Sequence, residues 1–160
     1  MAIMKRLFNI LFALAGVCLV SCNEDIAEPV KTVSPAVVGD WHLTEEYSLG
    51  EQVPQTADVY LSINSDCTFE LYQKSGTQIR FSLYTGTCYS EDNLLIGVYS
   101  DGTPWGSDYE VSFNVDGHLV LTTYDRMGKM IYEKKSIPAE EKNLAVNVTK
   151  SDITAETPKL

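Results

Sequence analysis

Few side chains in this 160-residue chain have the type and spacing for chemistry. His42 and His118 are far apart, and an isolated His in an extended segment is a surface or packing residue before it is a ligand. Glu45 and Glu46 are adjacent, so in a strand they point to opposite faces and cannot work as paired carboxylates. Asp101, Asp108 and Asp116 read as hairpin residues before they read as a Ca²⁺ site. There is no Gly-x-Ser-x-Gly elbow, no His-Glu-x-x-His pair and no phosphate-cradling glycine loop. The expectation is a protein without catalytic residues, metal or cofactor. With 22 acids against 12 Lys and Arg, the formal charge of −10 argues against a nucleic-acid partner, which needs cations to displace phosphate counterions.

The aromatics are more informative. Nine Tyr and two Trp are many for a chain of this size. Tyr84, Tyr89, Tyr99, Trp105 and Tyr109 cluster in or beside two connections, and Asp101-Gly102-Thr103-Pro104-Trp105-Gly106 sets a Trp in a loop. Aromatic faces beside polar groups suit a sugar, an amphiphile or a protein partner. Trp105, Tyr99, Tyr109 and Tyr84 are therefore the candidate ligand-binding residues. The competing reading has Trp105 fold back over one end of the fold.

The elements that must position them have period two. Trp41, Leu43 and Tyr47 alternate with polar residues, as do Val59, Leu61 and Ile63, then Phe69 and Leu71, then Tyr109, Val111, Phe113 and Val115. Turn residues such as Asn64-Ser65-Asp66, Ser75-Gly76, Asp116-Gly117 and Met127-Gly128 punctuate the runs. Eight strands are expected, near 39–48, 57–63, 67–74, 79–89, 93–100, 107–115, 118–124 and 130–137. No segment between them has helical periodicity. Eight sequential antiparallel strands remove their edges by closing, so the expected fold is all-β, a small eight-stranded antiparallel up-and-down barrel. A two-sheet sandwich is the alternative. Such an interior is just wide enough to be filled by side chains or to hold one small ligand. Trp41, Phe69, Phe113 and Leu121 are bulky inward candidates that favour filling.

Cys67 and Cys88 flank a hairpin. A turn near residues 76–77 places Cys67 within a residue of Cys88 on the next strand, so a disulfide is expected, stabilising by up to ~3 kcal/mol in the loop-entropy model. Two observations oppose it. Cys67 shares parity with Phe69, while Cys88 shares parity with Tyr84, and Cys67 falls where a turn wants positive φ.

The first 21 residues differ from the rest. Lys5 and Arg6 precede an apolar run from Leu7 to Val20, interrupted by Asn9 and Gly16. As a helix it would span about 21 Å, short of the ~30 Å hydrocarbon core, so it reads as a secretory signal peptide. The run ends Leu19-Val20-Ser21-Cys22, which resembles the bacterial lipobox. That resemblance implies cleavage before Cys22, lipidation of Cys22 and permanent membrane anchoring by two or three acyl chains. Asn23 in place of Asp implies, by the same resemblance, an outer-membrane destination, and Glu24-Asp25 resembles a surface-export signal. Cleavage would remove Lys5 and Arg6 and no acid, taking the formal charge from −10 to −12. An exported location permits disulfides.

Gly39-Asp40-Trp41 at the start of the first strand resembles the Gly-x-Trp motif of the lipocalins. The wider pattern is similar to the lipocalin-like domain of Gram-negative lipoproteins. It comprises Asp66-Cys67-Thr68-Phe69, Tyr84-Thr85-Gly86-Thr87, the Tyr99–Gly106 stretch and a closing strand ending Ile137-Pro138. The resemblance implies that Gly39 and Trp41 close one barrel end. The expected organisation is a signal peptide over 1–21, a flexible tether over 22–37, the barrel over 38–140 and a tail or edge strand over 141–160. The expected function is a lipid-anchored binding protein for a small molecule or glycan fragment. The alternative is a protein-interaction module, an accessory subunit or enzyme inhibitor, with a filled core.

Overall fold

A computed structural model describes residues 30–152 and 157–160. The expected signal peptide, the lipobox-like stretch and Cys22 lie outside the described residues. Lys31–Leu160 forms one compact unit.

Eight of the ten strands make the barrel: β1 (Gly39–Ser48), β3 (Ala57–Ile63), β4 (Thr68–Ser75), β5 (Ser82–Glu91), β6 (Leu94–Tyr99), β7 (Tyr109–Phe113), β8 (Leu119–Thr123) and β9 (Gly128–Lys134). Each pairs antiparallel with its neighbour in sequence, and β9 pairs with β1, closing the meander. The short strand β2 (Glu51–Val53) hairpins off β1. The helix α1 (Ala139–Leu144) follows the barrel, and β10 (Val146–Asn147) runs parallel to β5. The all-β, eight-stranded up-and-down barrel expected from period-two patterning is the fold observed.

The interior is fully apolar at mid-height: Leu43, Val59, Leu61, Leu71, Leu95, Leu119, Leu121 and Tyr132 are fully buried. Several local features depart from simple alternation. A bulge between Leu43 and Glu45 shifts the register of β1 against β9. One extra residue flips every later side chain to the other face. Glu46, paired with Met130, therefore faces inward, and Tyr47 faces out, its ring under the Lys129 ammonium at 3.8 Å. Phe113, expected inside, is 43% exposed because β7 ends there, its ring 6.2 Å from that of Trp41. Val115 lies beyond the strand and is fully exposed.

The two ends are closed differently. At the base, where β1 begins and β3 ends, the expected tether is part of the fold from Lys31 onward. Val33 and Val37 are buried, Ser90 N–H donates to the Thr32 carbonyl at 2.8 Å, and the Trp41 indole donates to the Val37 carbonyl at 2.8 Å. Trp41, 2% exposed, is packed at this end. At the mouth, where β4 ends and β5 begins, closure comes from the 101–106 loop and from Thr157–Leu160.

The segment after β9 wraps the outside. Tyr60, Tyr72, Phe81 and Ile137 form a second apolar cluster, with Leu83 and Ala145 against it. Lys74 pairs with Glu141 at 3.2 Å and Lys142 with Glu70 at 2.8 Å, fixing α1 over β4. This explains why Tyr60 and Tyr72, on the polar parity of their strands, are buried.

Candidate functional site

The four aromatic candidates converge, and they converge inside. Tyr84, Tyr99, Trp105 and Tyr109 are between 1% and 5% exposed. Trp105 packs edge-on to Phe69, centroids 5.0 Å apart, and to Tyr109 at 5.9 Å. Tyr99 meets Phe69 at 5.5 Å and Tyr84 at 6.1 Å. These T-shaped contacts place positive ring edges on negative faces. Gly97 makes the arrangement possible, since a Cβ there would lie 2.1 Å from the Trp105 ring. The 101–106 loop turns its Trp105 indole inward, 5% exposed and against Phe69 and Tyr109. The ring cluster expected to line a cavity is the packing of the core.

The mouth above this cluster contains a site that sequence reasoning missed. Thr157–Leu160, outside any helix or strand, enters it. Gln73, 0% exposed, donates its amide to the Thr157 carbonyl at 3.0 Å and accepts the Lys159 N–H at 3.0 Å. Lys159 Nζ forms an ion pair with Glu46, 3.0 and 2.9 Å from its two carboxylate oxygens. The Tyr99 hydroxyl donates to the Leu160 carbonyl at 2.5 Å. Leu160 is 1% exposed and joins the main core, and Pro158 is also buried. Two of these residues had signals in the sequence. Gln73 shares the inward parity of Phe69 and Leu71, and a polar residue there asks for a partner. Glu46 had none, because the bulge that turns it inward leaves no mark in the alternation.

Burial sets the electrostatics of the mouth. Burial holds the Tyr109 hydroxyl up at about 12, with the Glu46 charge adding to it. Burial also raises Tyr99 and Tyr132. These phenols stay neutral at physiological pH and serve as donors and ring faces. One donor is left over: the buried Trp105 Nε1–H meets no acceptor among the described residues.

The outer surface carries two open grooves. One, of about 480 Å³, runs past His42, Gln55, Asp58, Lys74 and Gln78. His42 places Nε2 2.8 Å from Asp58 and Nδ1 3.1 Å from Glu133, and its ring stacks on Tyr60 at 4.4 Å. Hydrogen bonds from His42 and Lys135 hold Glu133 below its usual range. The other groove, of about 560 Å³, crosses β4 to β6, where Thr68, Thr85, Thr87 and Ser100 lie beside Phe69 and Tyr99. No cluster of three metal-ligating side chains occurs among the described residues.

Cys67 and Cys88 are neighbours and carry free thiols, so the expected disulfide is not formed. The observed pairing of Thr68 with Thr87 puts them opposite one another, and Cys88 N–H donates to the Cys67 carbonyl at 2.8 Å. The positive φ at Cys67, 69°, turns it toward the Lys31 carbonyl, to which its thiol donates at 3.4 Å. Cys88 points into the core, where burial pushes its thiol up to about 12.

Comparison with known proteins adds little to this geometry. No family model matches the chain, and no curated protein sequence does. One solved structure is similar, the lipoprotein YedD from Klebsiella pneumoniae subsp. pneumoniae MGH 78578, at 16% identity and a TM-score of 0.44, covering 71% of this chain and 86% of that one. A likeness of that degree carries no argument, and the barrel rests on the strand pairings alone.

Proposed function

We propose that this protein is a lipid-anchored barrel that works as a protein-interaction module, held through Cys22 at the outer membrane and without a catalytic reaction of its own. The anchor rests on the basic pair, the apolar run and the lipobox-like Leu19–Cys22. The interaction reading rests on one observation: the rings that would line a ligand cavity are 1–5% exposed and packed on one another. A barrel filled in this way has no room at mid-height for a small apolar ligand. Recognition then belongs to the mouth and the outer surface. The groove across β4–β6, which sets Thr and Ser hydroxyls beside Phe69 and Tyr99, favours a second reading, in which a glycan fragment lies on the barrel wall.

Two measurements test this. Radiolabelled palmitate should be incorporated by the intact chain and lost with Cys22→Ala; labelling that survives the substitution removes the anchor. Native mass spectrometry of the folded protein should give the mass of the acylated polypeptide alone. A stoichiometric apolar molecule that leaves only on unfolding would restore the small-molecule reading.

A further inference from the structure

The mouth is built like a peptide-binding seat. An amide side chain reads the backbone, since Gln73 spans the Thr157 carbonyl and the Lys159 N–H. A carboxylate reads a cation, since Glu46 holds Lys159 with both partners about four-fifths buried. An aromatic well reads an aliphatic side chain, since Leu160 sits in the core that contains Tyr99, Trp105 and Tyr109. A hydroxyl reads the carbonyl of that same residue. This is the division of labour by which pockets recognise extended chains: main-chain hydrogen bonds give affinity and side-chain pockets give specificity.

The occupant in place is an imperfect fit. It leaves the buried Trp105 indole N–H unpaired, and a buried donor without a partner is destabilising. A ligand with one further acceptor at that point would recover this loss. The occupant also belongs to the chain itself, so it competes at an effective concentration on the order of mM. The seat is latent as long as the segment stays in.

We propose that Glu46, Gln73, Tyr99 and the Trp105 well form a peptide-recognition site, that Thr157–Leu160 occupies it as an internal competitor, and that its ligand is an extended segment carrying a cation followed by an aliphatic residue. This inference rests on the interaction-module reading and names the chemistry of the partner. A partner segment engages by displacing Thr157–Leu160, so recognition is coupled to release of the strap that follows β10.

The probe is the amidated peptide Thr-Pro-Lys-Leu with a fluorophore at its N-terminus, titrated by fluorescence anisotropy. Amidation restricts the test to backbone and side chains. In the full chain, Lys159→Glu sets two carboxylates against each other and unseats the internal segment. This variant should bind the peptide at least about tenfold more tightly than the unaltered chain. A second variant lacking residues 157–160 should bind it equally well, and adding Glu46→Lys there should reverse the preference toward Thr-Pro-Glu-Leu. Circular dichroism establishes which variants keep the barrel. If either variant is folded and binds neither peptide, Thr157–Leu160 is a structural cap and the proposal falls. If binding occurs but Glu46→Lys leaves the preference unchanged, the assigned cation pocket is wrong. Loss of both folds would likewise make the segment part of the barrel's framework and overturn its role as a competitor. None of these results touches the anchored-module reading, which stands or falls on the palmitate and native-mass measurements.

Discussion

The base and the mouth of this barrel solve the same problem with different chain segments. Both ends must cover apolar side chains that eight strands leave open. The base is covered by the segment just before β1, in which Val37 accepts from Trp41 four positions on, and which Cys67 and Ser90 also hold from farther along the chain. The mouth is covered by residues far away in sequence, with Gln73 and Lys159 86 positions apart and Glu46 and Lys159 113 apart. Closing a longer loop costs more entropy, though only slowly with length. The larger contrast is in what holds each cover. Trp41 is held by a strand paired on both sides, whereas Thr157–Leu160 is held by a handful of polar contacts and the buried Pro158 and Leu160 side chains. The base is framework, and the mouth carries a removable cover.

The largest expected effect separates the two. Trp41→Ala leaves a cavity in an end that cannot collapse and should cost about 3–5 kcal/mol by urea denaturation. Leu160→Ala should cost about 1–2 kcal/mol, below the usual range for a buried Leu, because the segment can leave and so cap the loss. Equal costs would make the mouth as rigid as the base. A middle-sized effect sharpens the contrast within the base. Iodoacetamide at neutral pH should label Cys67 and spare Cys88, whose thiol is buried and raised to about 12. Peptide mapping should find the adduct on Cys67 and not on Cys88 in the native protein, and on both in denaturant; an adduct on Cys88 in the native protein would mean that the base opens.

The smallest effect lies at the mouth and depends on pH. Asp101 accepts backbone N–H groups from Thr103 and from Ser151, which hold its carboxyl well below the carboxylate range. Its folded value lies below its unfolded value of about 3.9. Its contribution is therefore fully present above that value and is lost as pH falls below it. Asp101→Asn should lower the urea midpoint slightly at pH 7, and the gap should close as pH falls through 4 and below. A gap that widens in acid would reverse the sign of this linkage.

Much of the barrel was legible because its cause is local. Alternation of Val59, Leu61 and Ile63 against polar neighbours can only be satisfied by a strand with one face in a core, and Asp116-Gly117 marks its hairpin because those residues tolerate the required φ. The inward turn of Glu46 was not legible, since a bulge changes register without changing composition. The burial of Tyr60 and Tyr72 was equally hidden, because it depends on where α1 and Ile137 come to rest.

The candidate aromatics show the same division. Tyr84, Tyr99, Trp105 and Tyr109 were recognisable as a group from their number and spacing. Whether they line a space or fill it depends on Gly97 admitting the indole, a contact between segments that no local pattern encodes.

Strand number, order and parity were thus properties of the sequence itself, because hydrophobic period and turn chemistry act over neighbouring residues. The filling of the interior, the free thiols at the base and the occupation of the mouth by Thr157–Leu160 were decided only when distant segments met. Volume, charge pairing and hydrogen-bond satisfaction are properties of that meeting, and the chain carries them as complementarity that no single segment displays.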